Sequence, residues 1–476
     1  MFKSRILKYL GITLIALLFT ACTAPSLLKR KENKTVPASY SASLDTINTA
    51  KVKWQDFFKD PDLHTLIDTA LKNNQELNIF IQEISVARNE VRSRKGAYMP
   101  NLNVQAGAGL EKSSRYTRNG AVDASLDAAP GKPFPEPLPD LFVGANISWE
   151  LDIWKKLRNS RKSSMYRYIS TAEGKNFLVT NLIAEIANAY YELMALDNQL
   201  QILKNNIEIQ QNALEIVKQE KSAARVTELA VRRFEAEVLK NQSRQYYIIQ
   251  DITETENKIN FLVGRFPQPV VRNSNGFSLL EFDTIHAGIP SQLLENRPDI
   301  RRAEQEMIAA KLDVKSAKAN FYPSIMITAG AGTQAFNAQY LFQSPESMLY
   351  NLAGQLVAPL INRNAIKANY YSASSKQVQA IFNYERAILR AHIEVANQLS
   401  NIGNLEKSYE LKSKQVQALT QSINISTGLF KSARADYMEV LLTQRDALEA
   451  KFELIETKKQ QMNARVNTYQ ALGGGW

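Results

Sequence analysis

One cysteine and three histidines supply all the thiol and imidazole chemistry available in 476 residues. His64, His286 and His392 lie far apart in the chain and in no ligand spacing. Each reads as an ordinary surface or interface histidine, and no metal site is expected. A lone Cys22 excludes a disulfide within the chain. No nucleophile, base and orienting group cluster in sequence, and no glycine-rich phosphate loop is present, so the chain does not read as an enzyme.

Cys22 carries chemistry of another kind. Lys3, Arg5 and Lys8 precede a short apolar run from Leu10 to Phe19, too short to span a bilayer. Phe19-Thr20-Ala21-Cys22 then resembles a bacterial lipobox, in which a cysteine after small residues is lipidated and becomes the mature N-terminus. The alternatives are ordinary signal cleavage or a buried free thiol. Residues 1–21 are therefore expected to be a removed signal peptide, and a covalent lipid on Cys22 is the only non-protein group expected. Thr23, rather than Asp, favours sorting to the outer membrane.

Hydrophobic content of 45% and charged content of 22% fit neither a disordered chain nor a polytopic helical membrane protein. The net charge of +11 reads as Lys and Arg scattered on long solvated helix faces. Nucleic acid is not an expected partner, because no basic patch with interleaved aromatics stands out beyond LLKRKENK at 27–34.

Along the chain, residues 22–61 read as a lipidated N-terminal tether, of which 23–50, rich in Ser, Thr, Ala, Lys and Pro, have no core of their own. Helical periodicity holds from Asp62 to Arg94, broken at Asn73-Asn74-Gln75. At Pro100 the period changes to two. Leu102, Val104, Ala106, Ala108 and Leu110 alternate with polar residues and glycine, and so do Val143, Ala145, Ile147, Trp149 and Leu151 after a Pro-rich loop at 129–140. Strands of about ten residues with one polar face suit a tilted crossing of a bilayer. A helix over 155–222, roughly 100 Å at 1.5 Å per residue, is predicted to turn and return over 227–262. After a connector at 268–290, Pro290 and Ser291 start a helix that carries Pro298 early inside it. A third strand follows Pro323, a fourth covers 349–361, and helices over 365–427 and 435–471 close the chain.

Residues 68–109 align with 291–332 without a gap, ending in Ala106-Gly107-Ala108-Gly109 against Ala329-Gly330-Ala331-Gly332. Lys221-Ser222-Ala223 and Lys431-Ser432-Ala433 mark the two expected helix turns. The chain is thus a tandem duplication, 62–267 and 291–476. Four strands cannot close a barrel, and open edges are not tolerated in lipid. Three chains would supply twelve strands, an ordinary barrel size.

GIPSQLLENRPDIRRAE (288–304), SWELDIWKKLR (148–158), AEIANAYYEL (184–193) and YQALGGGW (469–476) together resemble the TolC family of outer membrane efflux channels, in its lipoprotein branch. The resemblance implies an α+β fold: a homotrimeric twelve-stranded transmembrane β-barrel, four strands per chain, continued by a long α-helical periplasmic tunnel. It implies a periplasmic adaptor protein, an inner-membrane pump of the resistance-nodulation-division type and the outer membrane lipid as partners. The cargo would be drugs or small toxic compounds, with copper or silver as the alternative and a non-conducting coiled-coil scaffold as a remoter one. In the family the periplasmic end closes near the second helix turn, where acidic rings line the constriction. Glu439 stands at the first acidic position, Leu442 replaces the second, and Asp436 lies at the tip, where it reads equally as a helix N-cap. Glu228, at an offset of 211, is a weaker counterpart in the first half. A ring of Glu439 would favour cations, whereas a ring of Leu442 would gate by dewetting. Arg297, Pro298 and Asp299 of the first motif are expected to be structural, as ion-pair or capping residues.

Overall fold

A computed structural model describes residues 24–27, 30–40, 47–129, 131–280, 284–432 and 434–476. The expected signal peptide and Cys22 lie outside the described residues. Among the described residues no helix is long and apolar enough to cross a membrane. The chain divides into two compact units, one containing Ser85–Ile169 and Gln305–Phe382, the other Glu32–Ile84, Ser170–Glu304 and Asn383–Trp476. Each unit draws on both sequence repeats.

The first unit is organised on a four-stranded antiparallel sheet in chain order: β1 (Asn101–Glu111), β2 (Leu138–Leu151), β3 (Ser324–Ala335) and β4 (Met348–Val357). The register places Leu102 opposite Ile147, Ile147 opposite Ala329, and Ala329 opposite Leu352. The period-two pattern of each strand therefore adds into one continuous apolar face and one polar face. Strand β2 starts five residues earlier than its alternation suggests, inside the Pro-rich loop. Pro139 is tolerated there because only β1 flanks it; pairing with β3 begins at Leu141. Strand β4 ends at Val357 rather than 361, since Pro359 removes a donor and Asn362 takes a positive φ of 51°. Between β1 and β2 the chain holds a helix over Arg118–Ser125 and a short strand pair at 127–129 and 132–133, the second of which lies within the Pro-rich loop.

The long helices are α1 (Pro61–Asn73), α2 (Gln75–Gly96), α3 (Lys156–Ser222), α4 (Glu228–Val263), α5 (Pro298–Ala319), α6 (Asn364–Lys431) and α7 (Tyr437–Ala471). Asp60 caps α1 through the N–H groups of Asp62 (2.9 Å) and Leu63 (3.3 Å), with Pro61 in the first turn. The break between α1 and α2 is made by Asn74. Its Oδ1 accepts from Leu77 N–H at 2.9 Å, and its Nδ2 donates to Leu262 O at 2.8 Å. One helix expected from 291 is two pieces. Arg297 adopts φ −85° and ψ 118°, and Pro298 starts α5 rather than sitting inside a longer helix. A residue before proline is pushed out of the helical region by the ring.

The second unit's core joins Leu63 and Ile67 of α1, Ile186, Tyr190 and Leu193 of α3, Val263 of α4, and Val466 of α7. Trp54 and Phe58 lie in the same cluster, at 7% and 0% exposure. The end of the expected tether, beyond the coreless 23–50, thus joins the core through two large aromatics. The connector is also anchored: Arg272 pairs with Asp197 (2.6 Å) and Glu256.

The basic excess is not scattered as expected. Residues 90–100, 152–162, 311–323 and 358–368 flank the strands on the helical side, and they hold thirteen Lys and Arg against three acids. In the second unit acids outnumber Lys and Arg, 36 to 32. Four separate short segments each looked like ordinary solvated helix, and only the sheet order brings them to one end.

Candidate functional site

Three places in the chain bear on function, and the sheet is the first. On its polar face Asn103, Asn146, Gly330 and Asn351 stand in register across all four strands. A Cβ on Gly330 would meet Asn146 Oδ1 at 2.5 Å and Asn351 Oδ1 at 2.8 Å, so glycine leaves the space into which both amides lean. On the apolar face Val104, Tyr350 and Leu352 are 77%, 85% and 78% exposed. Strands β1 and β4 are the two edges, with an outward row of unpaired backbone groups each. This is the surface of a sheet made to face lipid on one side and water on the other, and to be continued at both edges. The asparagine row was not singled out in the sequence; its signal, Asn at polar positions of three strands, needs the register to be seen.

The helix turns are the second place. Helix α3 ends with Arg225 N–H donating to Glu220 O and Ala224 N–H to Lys221 O, both at 2.9 Å, and Ala224 has φ +58°. This is a Schellman closure with alanine at the position usually taken by glycine. In the second half Arg434 N–H donates to Leu429 O at 2.9 Å. The following helices start at Thr227 and Asp436, each in extended N-cap geometry and neither making a side-chain capping bond. Asp436 thus holds the cap position without capping. The KSA triplets are 210 residues apart and the caps 209, so the second turn is one residue shorter. Aligned on the caps, Glu439 corresponds to Ala230 and Leu442 to Arg233, while Glu228 corresponds to Tyr437. The pairing of Glu228 with Glu439 is therefore out of register by two residues.

The two acids also differ electrostatically. Glu228 accepts from Lys221 and from Arg232 (2.8 Å), and Lys221, the larger influence, holds its carboxyl below the ordinary value. Glu439 is exposed and has no side-chain partner among the described residues. Leu442, one turn on, is 40% exposed, and Asp446 and Glu449 continue the same face at helical spacing. The opposite face of α7, with Val440, Gln444, Ala447 and Leu448, is buried. Phe234 and Val238 of α4 anchor the tip cluster, against which Phe430, Tyr437 and Leu441 pack.

The third place joins two of the sequence motifs. Arg297, 5% exposed, grips Asp299 with two bonds (2.9 and 2.7 Å). Its Nη1 donates to Glu394 Oε2 and to the Ala471 carbonyl, both at 2.8 Å. Burial works against the charge, but the carboxylates of Asp299 and Glu394 outweigh it and raise the guanidinium pKa. Returning the contact, Trp476 Nε1 donates to Asn296 O at 3.2 Å, and Arg301 lies over the Trp476 ring at 5.1 Å. Gly473 has φ +93°, and a Cβ there would stand 2.6 Å from Asn296 O. The C-terminal GGGW and the NRPD turn are thus two halves of one clasp.

The chain matches the family model described as outer membrane efflux protein over residues 66–265 and 289–474. It is 27% identical over 435 residues to the solvent efflux pump outer membrane protein SrpC of Pseudomonas putida, covering 90% of this chain and 89% of the other. It is 26% identical over 471 residues to the cation efflux system protein CusC of Escherichia coli O6:H1, covering 97% of each. The solved open-state outer membrane channel MtrE of Neisseria gonorrhoeae superposes with a TM-score of 0.82 at 23% identity, over 95% of this chain and 98% of that one.

Proposed function

We propose, from the premise that this chain belongs to the outer membrane efflux protein family, that it is the outer membrane channel of a tripartite efflux system. Three copies join β4 of one to β1 of the next and close a twelve-stranded pore. The observation that carries this reading is the two-faced sheet with both edges open. In lipid such edges must be paired, and four strands are too few to pair with themselves. The chain holds no engine of its own in this scheme. An inner-membrane pump of the resistance-nodulation-division type supplies the cargo through a periplasmic adaptor, and the channel conducts it passively. A lipid on Cys22 anchors the N-terminus to the membrane.

The gate lies at the second helix turn. Glu439 has no side-chain partner among the described residues, and three copies around a narrow axis would favour cations. Leu442 adds three apolar side chains one turn away, a constriction that closes by dewetting. Drugs or small toxic compounds, the class to which a solvent belongs, are the leading cargo. Copper or silver is the second reading, favoured by the 97% coverage of the cation efflux relative.

Planar-bilayer conductance of the purified full-length protein tests the reading. The expected result is discrete channels that open further in the Glu439→Ala, Leu442→Ala double variant. A trimer that never conducts, in either form, would show a coiled-coil scaffold instead. Mass spectrometry of the mature N-terminal peptide tests the lipid, which Cys22→Ser should abolish.

A further inference from the structure

We propose that the helical end of the sheet binds the headgroups of anionic phospholipids in the membrane leaflet it meets. The inference rests on the reading that the apolar sheet face lies in lipid. Antiparallel order brings the start of β1, the end of β2, the start of β3 and the end of β4 to the same end. Each joins a helix there, and the four junctions carry the thirteen cations counted above. The three acids among them are already committed: Glu90 to Arg94 (2.7 Å), Asp152 to Arg158 (3.1 Å) and Asp313 to Arg167. Nine of the cations are exposed with no acid partner among the described residues, among them Lys95, Lys155, Arg161, Lys162, Lys318 and Lys367. A cluster of like charges left without counter-charge in the protein is complementary to a surface of opposite sign.

The surroundings identify that surface as a lipid boundary. Trp149 Nε1 donates to Tyr98 O at 3.2 Å, Trp154 Nε1 to Pro323 O at 2.7 Å, and the rings of Trp154 and Tyr322 lie 4.9 Å apart. Aromatics with one apolar and one wet end gather where acyl chains meet headgroups. Beside them Ile153, Leu360 and Ile361 are 50%, 46% and 90% exposed in the two strand-to-helix turns. Lys155, directly before α3, has φ +61° and Asn362, two residues before α6, has φ +51°, a conformation that non-glycine residues rarely adopt. A cavity of about 410 Å³ opens at this end, lined by Trp154, Tyr322, Pro359 and Lys156 and by the carboxylates of Glu150 and Asp152, which are paired with Lys156 and Arg158. Apolar, aromatic and cationic groups in one band suit a phosphodiester with acyl chains; a water-filled pore wall has no use for an isoleucine left almost wholly exposed.

The test uses the full-length protein, wild type and K155Q/R161Q/K162Q/K367Q, purified in mild detergent with equal phosphatidylglycerol and phosphatidylcholine. Native mass spectrometry counts retained lipid. The wild type should retain phosphatidylglycerol over phosphatidylcholine by about tenfold, the quadruple variant should lose most of that preference, and raised salt should weaken it. Equal retention of the two lipids, or a preference unchanged in the variant, overturns the proposal. So does a variant that alters only the ion selectivity of the pore, since the cations would then serve cargo. Lipid retention is read in detergent, so it stands or falls separately from bilayer conductance, which reports the channel reading itself.

Discussion

The two helix turns of the duplicated chain are built alike and charged differently. Both long helices end within a KSA triplet, at Ser222 and at Lys431, and both return helices start at an extended N-cap without a side-chain bond. Both bury a valine at the matching place, Val231 and Val440. Yet the first turn ties its acid down, with Glu228 held by Lys221 and Arg232, whereas the second leaves Glu439 bare and sets Leu442 where the first half has Arg233. Packing was kept through duplication, and the surface was free to diverge. The proposed gate is placed at the second turn on this difference: Glu439 has only the N-terminus of its own helix to answer its charge, and an exposed leucine stands beside it.

Substitutions can break this contrast in order of size. Phe234→Ala removes the aromatic anchor of the tip cluster and should destabilise the first turn by about 3–5 kcal/mol, read as accelerated hydrogen exchange across α4 near Ala230 to Val238. Conductance should change less than exchange does. Next, Glu439→Ala with Leu442→Ala should raise open probability by about tenfold, equivalent to ~1.4 kcal/mol. That is in proportion to leucines whose full burial would be worth roughly 1.5–3 kcal/mol each. The matching change in the first half, Glu228→Gln, should leave conductance unaltered and only loosen amide protection at the start of α4. That loosening should vanish at about 1 M salt, where the screening length is roughly 3 Å. Acidification gives the smallest effect. Because the folded carboxyl of Glu228 lies below its unfolded value, its contribution is present at neutral pH and is lost as pH falls through the lowered folded pKa. Exchange at the first turn should therefore quicken only in acid below the ordinary glutamate range.

Much of the fold was legible because local pattern and global role agree. Leu102, Val104 and Leu110 alternate in sequence as they do on the sheet, and the run without proline or glycine from 175 to 263 is helix on both sides of its one turn. What sequence could not show depends on distant contacts. Trp54 and Phe58 gave no periodic signal, yet Phe58 is wholly buried by elements far along the chain. The offset of 211 between Glu228 and Glu439 misses the helix register by two residues, one of them from the shorter second turn. The clasp of Arg297 on Ala471 and of Trp476 on Asn296 joins motifs 170 residues and more apart. The cationic junctions are four unremarkable segments until strand order collects them.

Closure of the pore by three copies is the claim on which the rest depends. Disulfide trapping measures it directly, because Cys22 is the chain's one native cysteine and no pairing within a sheet can bring β1 to β4. Val104→Cys should be combined in turn with cysteine at each position from Met348 to Leu356, and the oxidised, membrane-embedded protein resolved by size under denaturing conditions. Bands that stop at the covalent trimer, at one or two adjacent positions on β4, are expected. A ladder that ends at the dimer, runs past three, or forms at no position while the protein sits in the membrane would contradict it.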